Sequence, residues 1–120
     1  MDINKLRNVI VDEGGFFKYI VVMVTDVQGR EKRVIRSNKN DRHHAAIFYK
    51  LQQEIKQDIN LCGLELKCIG GGKIDIHRKT KTCHVQAHEF SGTYGQEPDR
   101  NETIKLLQVA FPDFTFRDNP

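Results

Sequence analysis

Residues Phe16 to Thr25 read Phe-Phe-Lys-Tyr-Ile-Val-Val-Met-Val-Thr, a run made almost wholly of β-branched and aromatic side chains. Such side chains fit a pleated surface, and a near-continuous apolar run is the pattern of a buried strand. The run therefore commits the chain to a sheet. Gly14-Gly15 precedes it and Asp26-Val27-Gln28-Gly29 follows it, and both are turn formers. Glu31 to Arg36 has the composition to pair back as the second arm of a hairpin.

The remaining elements follow from changes of period. Apolar residues recur at helical spacing at Ile47, Phe48, Leu51, Ile55 and Ile59, which predicts a helix from about Asp41 to Asn60 with Cys62-Gly63 at its exit. Leu64, Leu66 and Cys68 alternate with Glu65 and Lys67, as in a half-buried strand. Gly70-Gly71-Gly72 is expected to interrupt it as a bulge or tight bend. Ile74 and Ile76 alternate with Asp75 and His77 in the next strand. Arg78 to Lys81 reads as a turn and Thr82 to Phe90 as another strand. Pro98-Asp99 announces a second helix, with Asp99 as N-cap, Glu102 at the capping-box position and Ile104, Leu107 and Phe111 on the buried face. Pro112-Asp113 ends it, and Phe114 to Arg117 is a last strand. The expected fold is α/β in the α+β sense: a single mixed, mostly antiparallel sheet of about six strands with two helices.

Composition bounds the function. A chain of 120 residues, 38% hydrophobic and 29% charged, suits one globular domain, expected to span 1–120 with short flexible ends. A net charge of +3 favours anionic partners but is too weak to imply nucleic acid, and the aromatic residues do not interleave with a basic patch as stacking platforms do. The apolar run Tyr19 to Val24 is too short to span a bilayer. The start Met1-Asp2-Ile3-Asn4-Lys5 has no apolar signal segment, and three cysteines make no regular disulfide framework. A cytoplasmic protein with no membrane partner is expected.

The chemistry concentrates where the hairpin gives way to the first helix. Asn38-Lys39-Asn40-Asp41 is a cluster of turn and cap formers, followed by His43 and His44. A histidine in the first turn of a helix faces unpaired N–H groups and the positive end of the dipole, which disfavour imidazolium. A neutral ring is what a general base or nucleophile must be, and the same N–H groups attract phosphate. The position thus suggests phosphoryl chemistry. Helical phase puts His44 nearer the sheet-facing side, three residues before Ile47 and four before Phe48, and His43 further toward solvent. It does not decide firmly between them.

Spacing excludes several familiar sites. A cysteine phosphatase loop needs an arginine six positions after its thiolate, but Cys68, Ile74 and Glu89 follow Cys62, Cys68 and Cys83 at that distance. Gly70-Gly71-Gly72-Lys73 lacks the hydroxyl residue that follows a P-loop lysine, since Ile74 stands there. His84 and His88, four residues apart on a strand, would be separated by about 13 Å, beyond one metal ion. Asp75 and His77 are a surface pair. Phosphoryl chemistry here is expected to use no metal and no cofactor.

Four segments, taken in order, resemble one known family. Gly15-Phe16-Phe17-Lys18-Tyr19 resembles its G-x-F-K-Y opening strand, and His43-His44-Ala45-Ala46-Ile47-Phe48 its Y-H-A-D-I-Y helix start. Cys68-Ile69-Gly70-Gly71-Gly72-Lys73-Ile74 is similar to C-x-G-G-G-R-I. His84-Val85 with Ser91-Gly92-Thr93-Tyr94-Gly95 resembles H-V-Y-G-Y-S-x-x-[YF]-G. From Gly15 to about Arg117 the chain resembles the small protein phosphohistidine phosphatases, the janus family.

The resemblance implies an enzyme that hydrolyses the P–N bond of phosphohistidine in partner proteins, without metal and as a monomer. It selects His44 as the proton acceptor. Lys18 takes the phosphate-contacting position, and Ser91, Gly92 and Thr93 the substrate-binding segment. Lys73 stands where the family has arginine; it supplies charge but no bidentate fork, so a weaker phosphate contact is expected. Ala46 stands where an aspartate is common, and the stretch from His84 to Gly95 is two residues longer than the family pattern. The alternative is a non-catalytic module of the same fold that binds phosphate or phosphoproteins.

Overall fold

The structure is a computed structural model and describes residues 3–12, 14–41, 43–87 and 100–119. Six strands form one sheet: β1 (Val9–Ile10), β2 (Gly15–Thr25), β3 (Glu31–Ser37), β4 (Glu65–His77), β5 (Thr82–Ala87) and β6 (Thr115–Asn119). Their spatial order is β1-β3-β2-β4-β5-β6. The central pairings β3–β2, β2–β4 and β4–β5 are antiparallel, and the outer pairings β1–β3 and β5–β6 are parallel. Helix α1 (His44–Lys56) covers one face and α2 (Arg100–Ala110) the other.

The apolar run from Phe16 to Thr25 falls within β2, at the middle of the sheet, and is buried on both faces from Tyr19 to Val22. Ile20, Val22 and Val24 pack under α1 with Ile47, Leu51 and Ile55. Phe17, Tyr19 and Val21 pack on the opposite side with Ile74, Ile76, Val85 and Leu107. Thr103 of α2 is fully buried beside Leu107. Arg36 of β3 is buried under α1 and forks onto Glu54, with Nε to Oε1 at 3.2 Å and Nη2 to Oε2 at 3.1 Å, which ties helix to sheet.

Two strands differ from expectation. The triple glycine does not interrupt β4, which runs unbroken from Glu65 to His77. The expected bulge is present as a one-residue slip in its pairing with β2: Val22 opposes Cys68 while Val21 opposes Gly70, leaving Ile69 as the extra residue. Gly70 carries φ +149°, a conformation that other residues rarely adopt. The two expected strands are thus one. The count of six is restored by β1, which is too short to show a period. Of the expected strand to Phe90, the described part ends at Ala87, and residues 88–90 lie outside the described residues, as does the Asp99 cap.

The first helix is also shorter than its apolar spacing implies, spanning His44–Lys56 rather than Asp41 to Asn60. At its start, Asn38 Oδ1 accepts from the N–H groups of Asn40 (3.1 Å) and Asp41 (3.0 Å), so these residues form a side-chain-closed turn. At its end, Asp58 accepts from Asn60 N–H at 2.9 Å and starts a separate 3-10 turn over Ile59–Leu61. Ile59 therefore leaves the buried stripe and is 86% exposed.

The three cysteines sit in unlike surroundings. Burial and the nearby Asp75 charge push the Cys83 thiol up to about 12, and burial pushes Cys68 up to about 11. Cys62 is exposed. Since the thiolate is the reactive species, iodoacetamide at neutral pH should label Cys62 alone in the folded protein, with the other two modified only after unfolding. Peptide mass spectrometry checks this, and native labelling of Cys83 at a rate comparable to Cys62 would contradict the burial.

Candidate active site

His44 is the first residue of α1, and His43 is its N-cap, with extended backbone and no side-chain capping bond. His43 is exposed, whereas His44 is 7% exposed and turned onto the sheet. Its ring lies against Gly71 of β4: a Cβ built there would sit 3.2 Å from Cδ2 and 3.3 Å from Nε2. Nε2 is 3.4 Å from the carbonyl oxygen of Gly72, a long hydrogen bond. A carbonyl only accepts, so Nε2 is the donor in this contact.

The bulge decides what else shares that face. Before it, Leu66 and Cys68 point under α1. Beyond it the parity inverts: Ile74 and Ile76 enter the core on the α2 side, and Gly71, Lys73 and Asp75 occupy the α1 face. In β2 the residues opposite these three are Ile20, Lys18 and Phe16. Helix α1 covers Ile20 but not the rest. The row beyond its N-terminus is consequently polar: Lys18 beside Lys73, then Phe16 beside Asp75, with Gln86 and His84 of β5 next to them.

Phe16, Phe17, Lys18, Lys39, Asp41 and Lys73 line a cavity of about 280 Å³ at this place. Lys18 and Lys73 face each other across the strand pair, and both are half-buried. Lys39 comes from the turn before α1, where its N–H donates to Asp12 at 2.8 Å. Three lysines and the Asp41 carboxylate line this small cleft, so its net charge is positive and favours an anion. Lys73 Nζ also lies 5.6 Å from the centre of the Phe16 ring, a cation–π contact. On the same face Asp75 and His77 close at 2.9 Å as a surface pair, as their spacing implies.

Asp41 holds the turn that delivers His44. The Asn38 side-chain amide donates to it at 2.7 Å, and Lys50 of α1 pairs with it at 3.0 Å. The Asn38 hydrogen bond, opposed by desolvation and aided by Lys50, keeps the carboxyl below its ordinary value. The folded-state pKa is depressed, so its contribution to stability is present above the unfolded value and is lost as pH falls through the folded one. Asp41→Asn should therefore lower the urea midpoint at pH 7, and the gap from the unaltered protein should close below the ordinary carboxylate value of 3.8. Circular dichroism reads this, and a gap that persists in acid would remove the ionised carboxylate from the explanation.

Of the expected residues, Lys18 and Lys73 stand side by side at this cleft, and His44 lies over Gly71, two residues before Lys73 on the same face of β4. Ser91, Gly92 and Thr93 lie outside the described residues. Phe16, Lys39, Asp41 and Gly71 join the site without having been singled out for it. Among the described residues, no three His, Cys, Asp or Glu side chains gather as a metal-ligand set. No helix among them is long and apolar enough to cross a membrane.

Residues 3–115 match the sequence profile of the family described as Janus/Ocnus family (Ocnus). The chain belongs to this family. It is similar to the 14 kDa phosphohistidine phosphatase of Sus scrofa, 28% identical over 95% of this chain and 90% of the relative. It is 33% identical to the sex-regulated protein janus-A of Drosophila pseudoobscura pseudoobscura, over 94% of this chain and 74% of that protein. The janus-A protein of Drosophila melanogaster is 31% identical over 84% of this chain and 70% of its own length. The family therefore joins a phosphohistidine phosphatase to janus proteins whose names state no reaction.

Proposed function

We propose that this chain is a protein phosphohistidine phosphatase that uses His44 as its general base and needs no metal. The observation that carries the reading is the buried His44 ring held against Gly71, one strand step from the facing pair Lys18 and Lys73. The relationship to a phosphohistidine phosphatase supports it. The substrates are phosphohistidine-bearing cytoplasmic proteins, and the enzyme acts as a monomer.

The reaction needs little covalent help. Phosphoryl transfer has a loose transition state, so positioning and charge stabilisation dominate. Lys18 and Lys73 offset the charge on the phosphoryl oxygens. His44 takes a proton from water as the water oxygen bonds to phosphorus. The P–N bond breaks, its electron pair returns to the substrate imidazole, and phosphate leaves. Ser91, Gly92 and Thr93 supply further oxygen contacts through hydroxyl and backbone N–H groups. A covalent route, in which His44 itself accepts the phosphoryl group, uses the same lone pair.

The test is phosphate release from a phosphohistidine peptide with EDTA present. Turnover that survives the chelator is the expected result. Phosphate binding without release would mark the chain as a binding module. Turnover abolished by EDTA and restored by a divalent ion would overturn the metal-independent mechanism.

A further inference from the structure

We infer that Phe16 is a specificity-determining residue: a platform for the imidazole of the substrate, which biases the site toward phosphoryl groups carried on an aromatic ring. The inference rests on the phosphatase reading above and extends it to what the leaving group touches.

The argument begins with an apparent misplacement. Phe16 is 55% exposed, although its neighbour Phe17 is buried in the core on the α2 side. A large aromatic ring left half in water at the mouth of a cationic cleft has an unused apolar face. It is also positioned by register. Along the α1 face the strand pairs run Ile20 and Gly71, then Lys18 and Lys73, then Phe16 and Asp75. Successive residues on one strand face are spaced by about 7 Å. His44 stands over the first pair, the two lysines are the second, and Phe16 is in the third.

That order suits an in-line displacement. The nucleophile enters on one side of phosphorus and the leaving group departs on the other. A water activated by His44 approaches from the Gly71 end. A phosphoryl group between Lys18 and Lys73 then directs its P–N bond toward Phe16. An imidazole ring on that bond arrives where an aromatic surface is exposed. Ring pairs gain from offset or edge-to-face contact beyond simple burial. The ring face also attracts cations, as the Lys73 ammonium 5.6 Å from its centre shows. A substrate imidazole protonated at its second nitrogen, the form ready to leave, gains from the same attraction.

The experiment compares kcat/KM for a phosphohistidine peptide with kcat/KM for phosphoramidate, which has the P–N bond but no ring. The ratio of the two is independent of how much of a variant is folded. Phe16→Ala should lower that ratio about three- to tenfold, mainly through KM for the peptide. Phe16→Tyr should restore it, and Phe16→Leu, which keeps bulk without a π face, should not. An unchanged ratio in Phe16→Ala, or full restoration by Phe16→Leu, would overturn the platform while leaving the phosphatase reading intact. No turnover of either compound by the unaltered protein would overturn both.

Discussion

His44→Ala is expected to reduce turnover of a phosphohistidine peptide by about 10²- to 10⁴-fold, the range over which a positioned general base contributes. The ring is buried, so the substitution also leaves a gap against Gly71 and is expected to cost about 1–2 kcal/mol of stability. His44→Gln separates the two effects. Its amide can donate to the Gly72 carbonyl in place of Nε2, but it has no lone pair that takes a proton near neutrality. It should fold nearly as well as the unaltered chain and be as inactive as the alanine variant. His43→Ala is the contrasting case, because His43 is exposed and makes no side-chain capping bond. Wild-type turnover in His44→Gln would show that the base lies elsewhere.

A histidine in the first turn was legible in the sequence for a local reason, since turn formers followed by a helical period locate a first turn within a residue or two; the choice of His44 over His43 came from the family resemblance. The partners of His44 depend on which way β4 faces, and there the sequence is ambiguous. Leu64, Leu66, Cys68, Ile74 and Ile76 all fall on even positions. Alternation alone puts them on one face, yet the bulge at Ile69 sends the first three under α1 and the last two toward α2. A single inserted residue is invisible to a period-2 pattern unless the glycine beside it is read as its cause. The same inversion brings Lys73 next to Lys18 and exposes Phe16 beside it.

Two other departures have equally local causes. Ile59 continues the helical spacing of Ile47, Leu51 and Ile55, but the Asp58 side chain offers Asn60 N–H a competing partner, and the period carries on in a segment that is no longer helix. Strand β1 has two residues and is held by parallel pairing to β3, with Asn8 accepting from Ile35 N–H at 2.7 Å. Nothing in two residues can announce that. Lys39 and Asp41 belonged to a turn by composition, and only the return of that turn over the sheet brings them to the cleft.

Gly71→Ala should damage both stability and turnover. The added Cβ would overlap the backbone oxygen of Tyr19 and lie 3.2 Å from Cδ2 of His44. The first contact cannot be relieved by a rotamer, because Tyr19 belongs to a central strand with both faces packed. Overpacking of this kind is expected to cost about 3 kcal/mol. The second contact pushes the His44 ring off the sheet, so turnover should fall further than the loss of folded protein explains. Gly14→Ala is the control, since a Cβ there meets nothing within 4 Å. The two contacts can also be separated. With His44 already replaced by alanine, the ring clash is gone and only the Tyr19 clash remains. Gly71→Ala should then cost about 1 kcal/mol less than it does in the unaltered chain, a coupling of the size found between residues in direct contact. Urea unfolding of the two single variants and the double variant, followed by circular dichroism, measures it. Strict additivity would mean that the ring does not rest on Gly71, and the placement of His44 over β4 would have to be given up.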